Sequence, residues 1–114
     1  PAKLYHGTSD AFLGEIRRQG LCPPRLGRPF GILTDEPEHI DTIYFTDRLG
    51  QAFIIADQTM YVRGGRSVVL EVDTKKLKPP HFKIVRRIGE VAVRAKKCIP
   101  PADLKIHRKR PVGW

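Results

Sequence analysis

Short apolar runs and one helical pattern occupy the first part of the chain. The run KLY at 3–5 predicts a strand, and the next stretch predicts a helix that Ser9 or Asp10 caps and whose apolar residues fall on one face. Gly20 fits the left-handed position at which such a helix ends. The twenty residues 22–41 contain four prolines and two glycines, and they therefore predict a long irregular loop.

A second strand and a second helix follow this loop. The run TIYFT at 42–46 predicts a buried strand, and Asp47 is the expected cap of the helix behind it. The apolar residues of that helix recur at a spacing that predicts one core-facing stripe, formed by Leu49, Ala52, Phe53, Ala56 and Met60. Gly64 and Gly65 are expected to end the helix.

The remaining chain predicts strands and no further helix. SVVLEVD at 67–73, EVAVRAK at 90–96 and LKIHRK at 104–109 have the alternating or apolar pattern of short strands. The predicted order is β-α-β-α-β-β-β. Because few helices are mixed with several short strands, the sequence indicates one α+β domain over residues 1–114.

Positive charge is concentrated near the C-terminal end. The chain has 21 Lys and Arg against 12 Asp and Glu, a formal charge of +9. Residues 1–74 contain 8 basic and 10 acidic side chains, whereas residues 75–114 contain 13 basic and 2 acidic ones. Such a block attracts polyanions, so nucleic acid is an expected partner and an anionic membrane surface a weaker one. The alternative is a solvated basic face that favours solubility.

The two cysteines, Cys22 and Cys98, have no neighbours at metal-ligand spacing, so no metal site is predicted. They could pair in an exported protein, but the simpler expectation is two buried thiols in a reducing compartment, which favours a cytoplasmic location. No apolar run approaches the ~20 residues that cross a bilayer, and no membrane association is predicted.

The common nucleotide-binding and hydrolase motifs do not identify a candidate site in this chain. GxGxxG, GxxxxGK[ST] and GxSxG are all absent from the chain. Three polar residues instead stand at the edges of predicted strands: His6, Tyr44 and Glu90. Each alone has an ordinary explanation, as a structural histidine, a core tyrosine and an exposed carboxylate.

Together, these three residues lie in an ordered set of motifs. YHGTS before the first helix, IYFTD before the second, and GEVAV before IPP and an aliphatic strand follow one another over residues 3–106. The set resembles the ADP-ribosyltransferase superfamily and, within it, the His-Tyr-Glu branch that includes diphtheria toxin and the poly(ADP-ribose) polymerases. The resemblance implies a split β-sheet around an NAD+-binding cleft, with NAD+ as co-substrate.

The resemblance also implies a role for each residue. His6 would hydrogen-bond the adenosine ribose, and the adjacent Gly7 and Thr8 would contact NAD+, with the Gly7 backbone bonded to the nicotinamide carboxamide. Tyr44 would stack on the nicotinamide ring. Glu90 would accept from the hydroxyls of the nicotinamide ribose, stabilise the positive charge on that sugar as the C–N bond breaks, and help to deprotonate the acceptor.

The helix after IYFTD departs from the family pattern. The polymerases carry a serine and a second aromatic residue there, where this chain has Gln51 and Ile54. Phe53 or Tyr61 would then have to cover the second face of the nicotinamide.

Glu71 is a rival to Glu90 as the catalytic carboxylate. The IPP turn and the strand after Glu90 fit the family better, so Glu90 is favoured. Relatives that modify arginine carry Glu-x-Glu, whereas the residue two before Glu90 is Ile88. Arginine is therefore a poor candidate for the acceptor.

In this family the loop before the glutamate contacts the acceptor, and here that segment is HFKIVRRIG at 81–89. Lys83, Arg86 and Arg87 are therefore the expected substrate-binding residues, and three cations suit a phosphate-bearing acceptor. The prediction is transfer of ADP-ribose to nucleic acid, with RNA favoured over DNA, by a small bacterial or phage toxin or effector. An effector would act in the cytoplasm of a target cell, and an inhibitor protein could occupy its cleft.

Three alternatives stay open. An acidic protein would be attracted to the same surface and could be the acceptor. A tRNA 2′-phosphotransferase also uses NAD+ and an HGT strand, but it expects arginines and a second histidine on the middle strand, where this chain has Tyr44. The third alternative is a basic RNA-binding module without enzymatic activity.

Overall fold

Within the described residues, two three-stranded antiparallel sheets and two α-helices make up the fold. The computed structural model describes residues 2–26 and 40–112, so most of the predicted loop at 22–41 lies outside the described residues. In chain order the elements are β1 (Lys3–Ser9), α1 (Leu13–Gln19), β2 (Thr42–Phe45), α2 (Leu49–Arg63), β3 (Ser67–Asp73), β4 (Phe82–Arg87), β5 (Glu90–Ala95) and β6 (Lys105–His107). The predicted α+β class is confirmed.

Two predicted boundaries on the strands are wrong. β1 does not end after Tyr5 but continues through HGTS, because every residue to Ser9 pairs with β3. The segment 81–89 is not a loop but contains β4, which pairs with β5 along its whole length. Ile88 and Gly89 form the turn between these strands, and Gly89 has a φ of +80° that only glycine adopts easily. The first predicted helix ends, as expected, at Gly20 with a φ of 90°.

The predicted cap of α2 is also wrong. The N-cap position is occupied by Arg48 and not by Asp47, and no side chain caps the helix from that position. The hydroxyl of Thr46 accepts a hydrogen bond from the Arg48 backbone N–H at 3.3 Å. This bond fixes the turn before the helix and leaves the N–H groups of its first turn without a side-chain cap from Arg48.

The two sheets have the strand orders β1-β3-β6 and β2-β5-β4. They meet where the edge strand β1 touches the edge strand β2. Tyr5 and Thr46 exchange two backbone hydrogen bonds there, of 2.8 and 2.9 Å. In the described parts of the chain this is the only backbone pairing between β1 and β2. The sheets are therefore joined at one point and split beyond it.

The main core lies between the inner faces of the two sheets and α1. Alternate strand residues point inward, as the period of two in a strand requires. The buried residues of this core include Leu4, Leu13, Ile16, Ile43, Phe45, Val68, Leu70, Val72, Val91 and Val93.

Helix α2 covers the opposite face of the first sheet. Ala52, Phe53 and Ala56 are buried against Val69 of β3. The helix lies so close to β1 that a Cβ added at Gly7 would be 2.1 Å from the Ala52 carbonyl oxygen. Glycine at position 7 is therefore required by the packing of α2 on the sheet.

Cys22 and Cys98 form a disulfide, so the expectation of two free thiols is wrong. The bond joins the segment after α1 to the segment after β5. Its neighbours Leu21 and Ile99 pair through two backbone hydrogen bonds of 2.9 and 2.8 Å. Chain residues 76 positions apart are thus held together beside the core, a contact that sequence spacing does not reveal.

Neither α1 nor α2 has the length and apolar character of a helix that spans a bilayer.

Candidate active site

His6 lies where β1 and β2 separate. Its Nδ1 is 2.7 Å from the backbone carbonyl oxygen of Tyr44, and its ring packs edge-on against Phe45 at 5.6 Å between centroids. A carbonyl oxygen can only accept, so Nδ1 carries a proton and donates it. The other ring nitrogen, Nε2, is buried.

The backbone of Gly7 faces the split between the sheets. Tyr5 directs its N–H and C=O to β2, where they bond Thr46. In an antiparallel ladder alternate residues direct these groups to the same side, so Gly7, two residues later, also directs them away from β3 and toward β2. No β2 residue in the described chain pairs with Gly7. One donor and one acceptor therefore point into the split.

Tyr44 and Glu90 lie on one face of the second sheet. The register pairs Tyr44 with Ala92, and Glu90 precedes Ala92 by two positions, so the two side chains are diagonal neighbours at roughly 7–8 Å. The paired strands place further residues on this Tyr44–Glu90 face: Thr42, Lys83, Val85, Arg87, Ala92 and Arg94. Since Tyr5 pairs with Thr46, the same side of the first sheet is the side that bears α2.

A cavity of about 460 Å³ surrounds the carboxylate of Glu90. It is bounded by the end of β2, the first turn of α2 and the β4–β5 turn, and its polar side chains are those of Thr46, Asp47, Arg48, Gln51, Arg86 and Arg87. None of the described residues forms an ion pair or hydrogen bond with the Glu90 carboxylate. Its oxygens are therefore available to accept from a ligand.

Glu71, the rival carboxylate, is already paired. His107 Nε2 lies 3.0 Å from its Oε1, and Lys3 Nζ lies 4.0 Å from its Oε2. Glu71 pairs across the ladder with Tyr5, on the side of the first sheet that bears α2, and the Tyr44–Glu90 face lies on that same side, so the side of the sheet does not distinguish the two carboxylates. Glu71 does not line the Glu90 cavity. The geometry therefore favours Glu90.

Tyr44 is half-buried between the two parts of the site. Besides sharing a face with Glu90, it lines a small cavity of about 40 Å³ together with His6 and Cys22. The structure thus joins the His6 ring to the backbone carbonyl of Tyr44, whereas the side chains of Tyr44 and Glu90 share the opposite side of the sheets. The disulfide forms part of the wall beside His6.

Three residues that were predicted to contact NAD+ lie at positions that do not suit this role: Thr8, Phe53 and Tyr61. Thr8 is fully buried on the inner side of β1, and its Oγ1 has no hydrogen-bond partner among the described residues. Phe53 is 1% exposed and packs against the first sheet, with Arg110 over its ring at 5.4 Å. Tyr61 is 90% exposed near the end of α2, away from the Glu90 cavity.

The predicted substrate-binding cations are divided between two cavities. Arg86 and Arg87 line the cavity of Glu90, and Arg87 pairs directly with Glu90 across the hairpin. Lys83 lies four residues earlier on β4 and lines a different cavity on the Tyr44–Glu90 face. The strand conformation of β4 separates side chains that a loop could have gathered.

Arg48 and Gln51 contribute to the Glu90 cavity, and only Gln51 was singled out by its position in the helix. The two residues are three positions apart at the start of α2, so they fall on the same side of the first turn. That spacing is the signal that would have identified Arg48.

Among the residues that the structure describes, no group of three His, Cys, Asp or Glu side chains lies together as metal ligands would. No protein-family model matches the chain, and a comparison with curated proteins finds no match either.

Proposed function

We propose that the protein is an NAD+-dependent ADP-ribosyltransferase that moves ADP-ribose from NAD+ to a macromolecular acceptor, with nucleic acid, and RNA in particular, as the acceptor class. The observation that supports this proposal most is the position of the Gly7 backbone, whose N–H and C=O point into the split beside the Tyr44–Glu90 face. A carboxamide presents one acceptor and one donor, which is the complement of these two groups.

The surrounding residues suit the rest of NAD+. With the nicotinamide amide on Gly7, the ring would lie against Tyr44, whose carbonyl also fixes the orientation of His6. His6 would hydrogen-bond the adenosine ribose once the ligand reaches its buried ring nitrogen. The nicotinamide ribose would then lie toward Glu90, in a cavity of about 460 Å³.

The reaction requires stabilisation of a sugar cation. When the bond between C1′ and the nicotinamide nitrogen breaks, its electron pair leaves with the nicotinamide, and positive charge spreads over the ribose. Glu90 would accept from the ribose hydroxyls and place a fixed negative charge beside that sugar. The acceptor oxygen or nitrogen then bonds to C1′ and loses its proton to Glu90 or to water.

The charge distribution supports a polyanionic acceptor. Arg86, Arg87 and Arg48 line the cavity around Glu90, where an incoming acceptor would contact them. Phosphates of a nucleic acid are attracted to such a cluster and release counterions on binding. An acidic protein remains the alternative acceptor, and an inhibitor protein could bind over the same cavity.

The disulfide bears on where the protein works. Disulfides persist in oxidising compartments and in exported proteins. The Cys22–Cys98 bond therefore favours an exported toxin or effector over an enzyme that stays in the reducing cytoplasm of the cell that makes it.

The test is transfer of label from NAD+ carrying a radioactive adenylate phosphate to RNA, to DNA and to lysate proteins. The wild type should label nucleic acid, and Glu90→Gln should reduce the rate by about 10²- to 10³-fold, the loss typical for removal of one group that stabilises a transition state. Glu71→Gln is the matched control and should keep most of the activity. Equal labelling by wild type and Glu90→Gln would remove Glu90 from the mechanism.

The same assay separates the alternatives. Label on proteins but not on nucleic acid would identify the protein-directed enzyme. Loss of a 2′-phosphate from a 2′-phosphorylated RNA, without stable labelling of that RNA, would identify the phosphotransferase. RNA binding without any consumption of NAD+ would leave the non-enzymatic binding module.

A further inference from the structure

A second cavity opens on the Tyr44–Glu90 face, beyond the cavity of Glu90. Its volume is about 430 Å³, and we name it the basic cavity after its polar side chains: Arg25, Asp41, His81, Lys83, Arg94 and Lys96. Lys83 lies on the edge strand β4, and Arg94 lies on the central strand β5. Arg25 and Asp41 come from the segments on either side of the predicted loop.

Most of the positive charge in the basic cavity is not neutralised. Asp41 is bonded by Arg25, with Nε to Oδ1 at 2.5 Å and a second contact at 3.4 Å. Over residues 2–26 and 40–112, no carboxylate forms an ion pair with Lys83, Arg94 or Lys96. Within the described ranges, these three exposed cations therefore share one concavity with no carboxylate paired to them.

The sheet register places two of these cations in direct opposition. Lys83 pairs with Arg94 across β4 and β5, so the two side chains leave the same face side by side. Like charges directly opposite each other destabilise a sheet. An anion bound between them would remove this repulsion, and a phosphate oxygen can accept from both side chains at once.

The cationic surface continues past the basic cavity. An adjoining hollow of about 450 Å³ shares His81 and Phe82 with it and is lined by four further lysines, Lys75, Lys76, Lys78 and Lys97, together with Asp73. Lys76 is ion-paired with Asp103 at 3.9 Å, so the excess positive charge of this hollow comes from the other three lysines. In the other direction, Lys83 and Arg87 are four residues apart on one strand, which separates them by about 13 Å. Cations therefore extend from Glu90 through the basic cavity to the second hollow.

We infer that the basic cavity binds the phosphodiester backbone of a single-stranded nucleic acid whose reacting group lies at Glu90. The inference rests on the proposed function for the reaction, and it adds the path along which the acceptor strand lies on the protein. Successive phosphates would lie near Arg87, between Lys83 and Arg94, and beside the lysines of the second hollow. Exposed His81 is a flat ring on which an unstacked base could lie.

The extent of the cations favours this ligand over the pyrophosphate of NAD+. A pyrophosphate has two adjacent phosphates, whereas the cations here occupy two hollows and the strand between them. Repeated phosphates at regular intervals match that distribution. RNA and DNA share this chemistry, and the test compares them.

The experiment measures fluorescence anisotropy of a labelled single-stranded oligonucleotide of about 12 nucleotides, as RNA and as DNA, in the absence of NAD+. The full chain is titrated between about 50 and 200 mM KCl. For Lys83→Gln with Arg94→Gln, we expect affinity to fall about tenfold or more. The slope of log affinity against log salt should become shallower by about 0.7, since the variant loses the one phosphate contact between Lys83 and Arg94 and each such contact on a single strand contributes about 0.7.

The matched control is Arg17→Gln with Arg18→Gln on α1, which changes the net charge equally and touches neither cavity. It should bind close to wild type. Equal losses in both double variants, or no loss in either, would overturn the inference. Equal binding of poly-glutamate, with the same loss in the Lys83 and Arg94 variant, would also overturn it in favour of an acidic protein.

A second measurement tests whether the basic cavity binds the pyrophosphate of NAD+ instead of the acceptor. Thermal stabilisation by NAD+ should be the same in the wild type and in Lys83→Gln with Arg94→Gln. Its loss in that variant, with oligonucleotide binding unchanged, would assign the cavity to NAD+ and contradict the inference. Because the oligonucleotide titration contains no NAD+, failure of the transfer reaction and failure of this inference give different results.

Discussion

Gly7 has no room for a side chain, and its backbone polar groups face the split between the sheets. There is no room because α2 lies close: a Cβ would be 2.1 Å from the Ala52 oxygen and 2.7 Å from the Ala56 nitrogen, both backbone atoms. The direction of the backbone groups follows from the register of β1 with β3. The glycine of HGT is thus needed for the fold even before a ligand is considered.

We predict that Gly7→Ala destabilises the protein by about 1–3 kcal/mol or more, because the helix must move to relieve the overlap. Urea unfolding monitored by circular dichroism measures the change. Gly14→Ala on the exposed side of α1 is the control, since its Cβ meets nothing within 4 Å. That substitution should stabilise the protein by about 0.5–1 kcal/mol through helix propensity. Equal stability of Gly7→Ala and wild type would contradict the packing described for α2.

Asp57 on α2 provides a pH-dependent contribution to stability. Burial raises the pKa of its carboxyl, but hydrogen bonds from Ser67 Oγ at 2.6 Å and from Arg110 outweigh burial and hold the pKa below its usual range. A lowered folded pKa gives stability that is complete above the unfolded value of about 3.9 and is lost as the pH falls through the folded value.

We therefore predict that Asp57→Asn makes stability less dependent on pH in the acid range. The urea midpoint of the wild type should fall more steeply between about pH 5 and about pH 2 than that of the variant. The control is Asp47→Asn, an exposed carboxyl that caps no helix. The same acid slope in wild type and Asp57→Asn would show that the Ser67 and Arg110 contacts do not form in solution.

At the scale of elements, the disulfide fixes the position of the segment after α1. Cys22 lines the small cavity beside His6 and Tyr44, and its neighbour Leu21 pairs with Ile99. Closing a loop with 76 positions between its ends restricts the unfolded chain, and bonds of this kind contribute about 2–4 kcal/mol.

We predict that reduction of the disulfide by a phosphine lowers the free energy of unfolding by about 2–4 kcal/mol. Urea unfolding with and without the reductant measures the effect. The double variant Cys22→Ala with Cys98→Ala should resemble the reduced wild type and should not respond to the reductant. An unchanged urea midpoint for the reduced wild type would contradict the bond.

Element identity was predictable where periodicity was strong. The apolar spacing of α2 correctly predicted its buried face at Ala52, Phe53 and Ala56. The segment with β4 was mistaken for a loop because three residues of this exposed edge strand are charged, which removes the alternation that marks a buried strand. The Asp47 cap was wrong because the helix begins one residue later, with Arg48 at the N-cap position.

At the scale of the whole molecule, long-range contacts were the part that the sequence did not determine. The position of His6 beside Tyr44 and the pairing of Cys22 with Cys98 join residues 38 and 76 positions apart. The resemblance assigned His6 and Tyr44 to one site without predicting a contact between them, and nothing in the spacing anticipated the disulfide. Phe53 could equally have faced a ligand or the core on sequence grounds, and packing against the first sheet placed it in the core.

The structure shows where the basic residues of the C-terminal part of the chain lie. Basic residues of the C-terminal part come together on one sheet face and in two adjoining hollows, because β4 and β5 are neighbours in the second sheet. Arg110 is an exception, since it is bonded to Asp57 and covers Phe53. The cationic surface is therefore formed by the second sheet and the segments around it.

The most direct test of the account is calorimetric titration of the protein with NAD+, using wild type, Tyr44→Ala and Tyr61→Ala. We predict saturable binding of one NAD+ by the wild type and by Tyr61→Ala, whose ring is exposed far from the site. Tyr44→Ala should bind about tenfold more weakly, because stacking adds about 1 kcal/mol to the area that it buries. No binding of NAD+ by the wild type, or equal weakening by the two tyrosine variants, would contradict a nicotinamide site between Gly7, Tyr44 and Glu90.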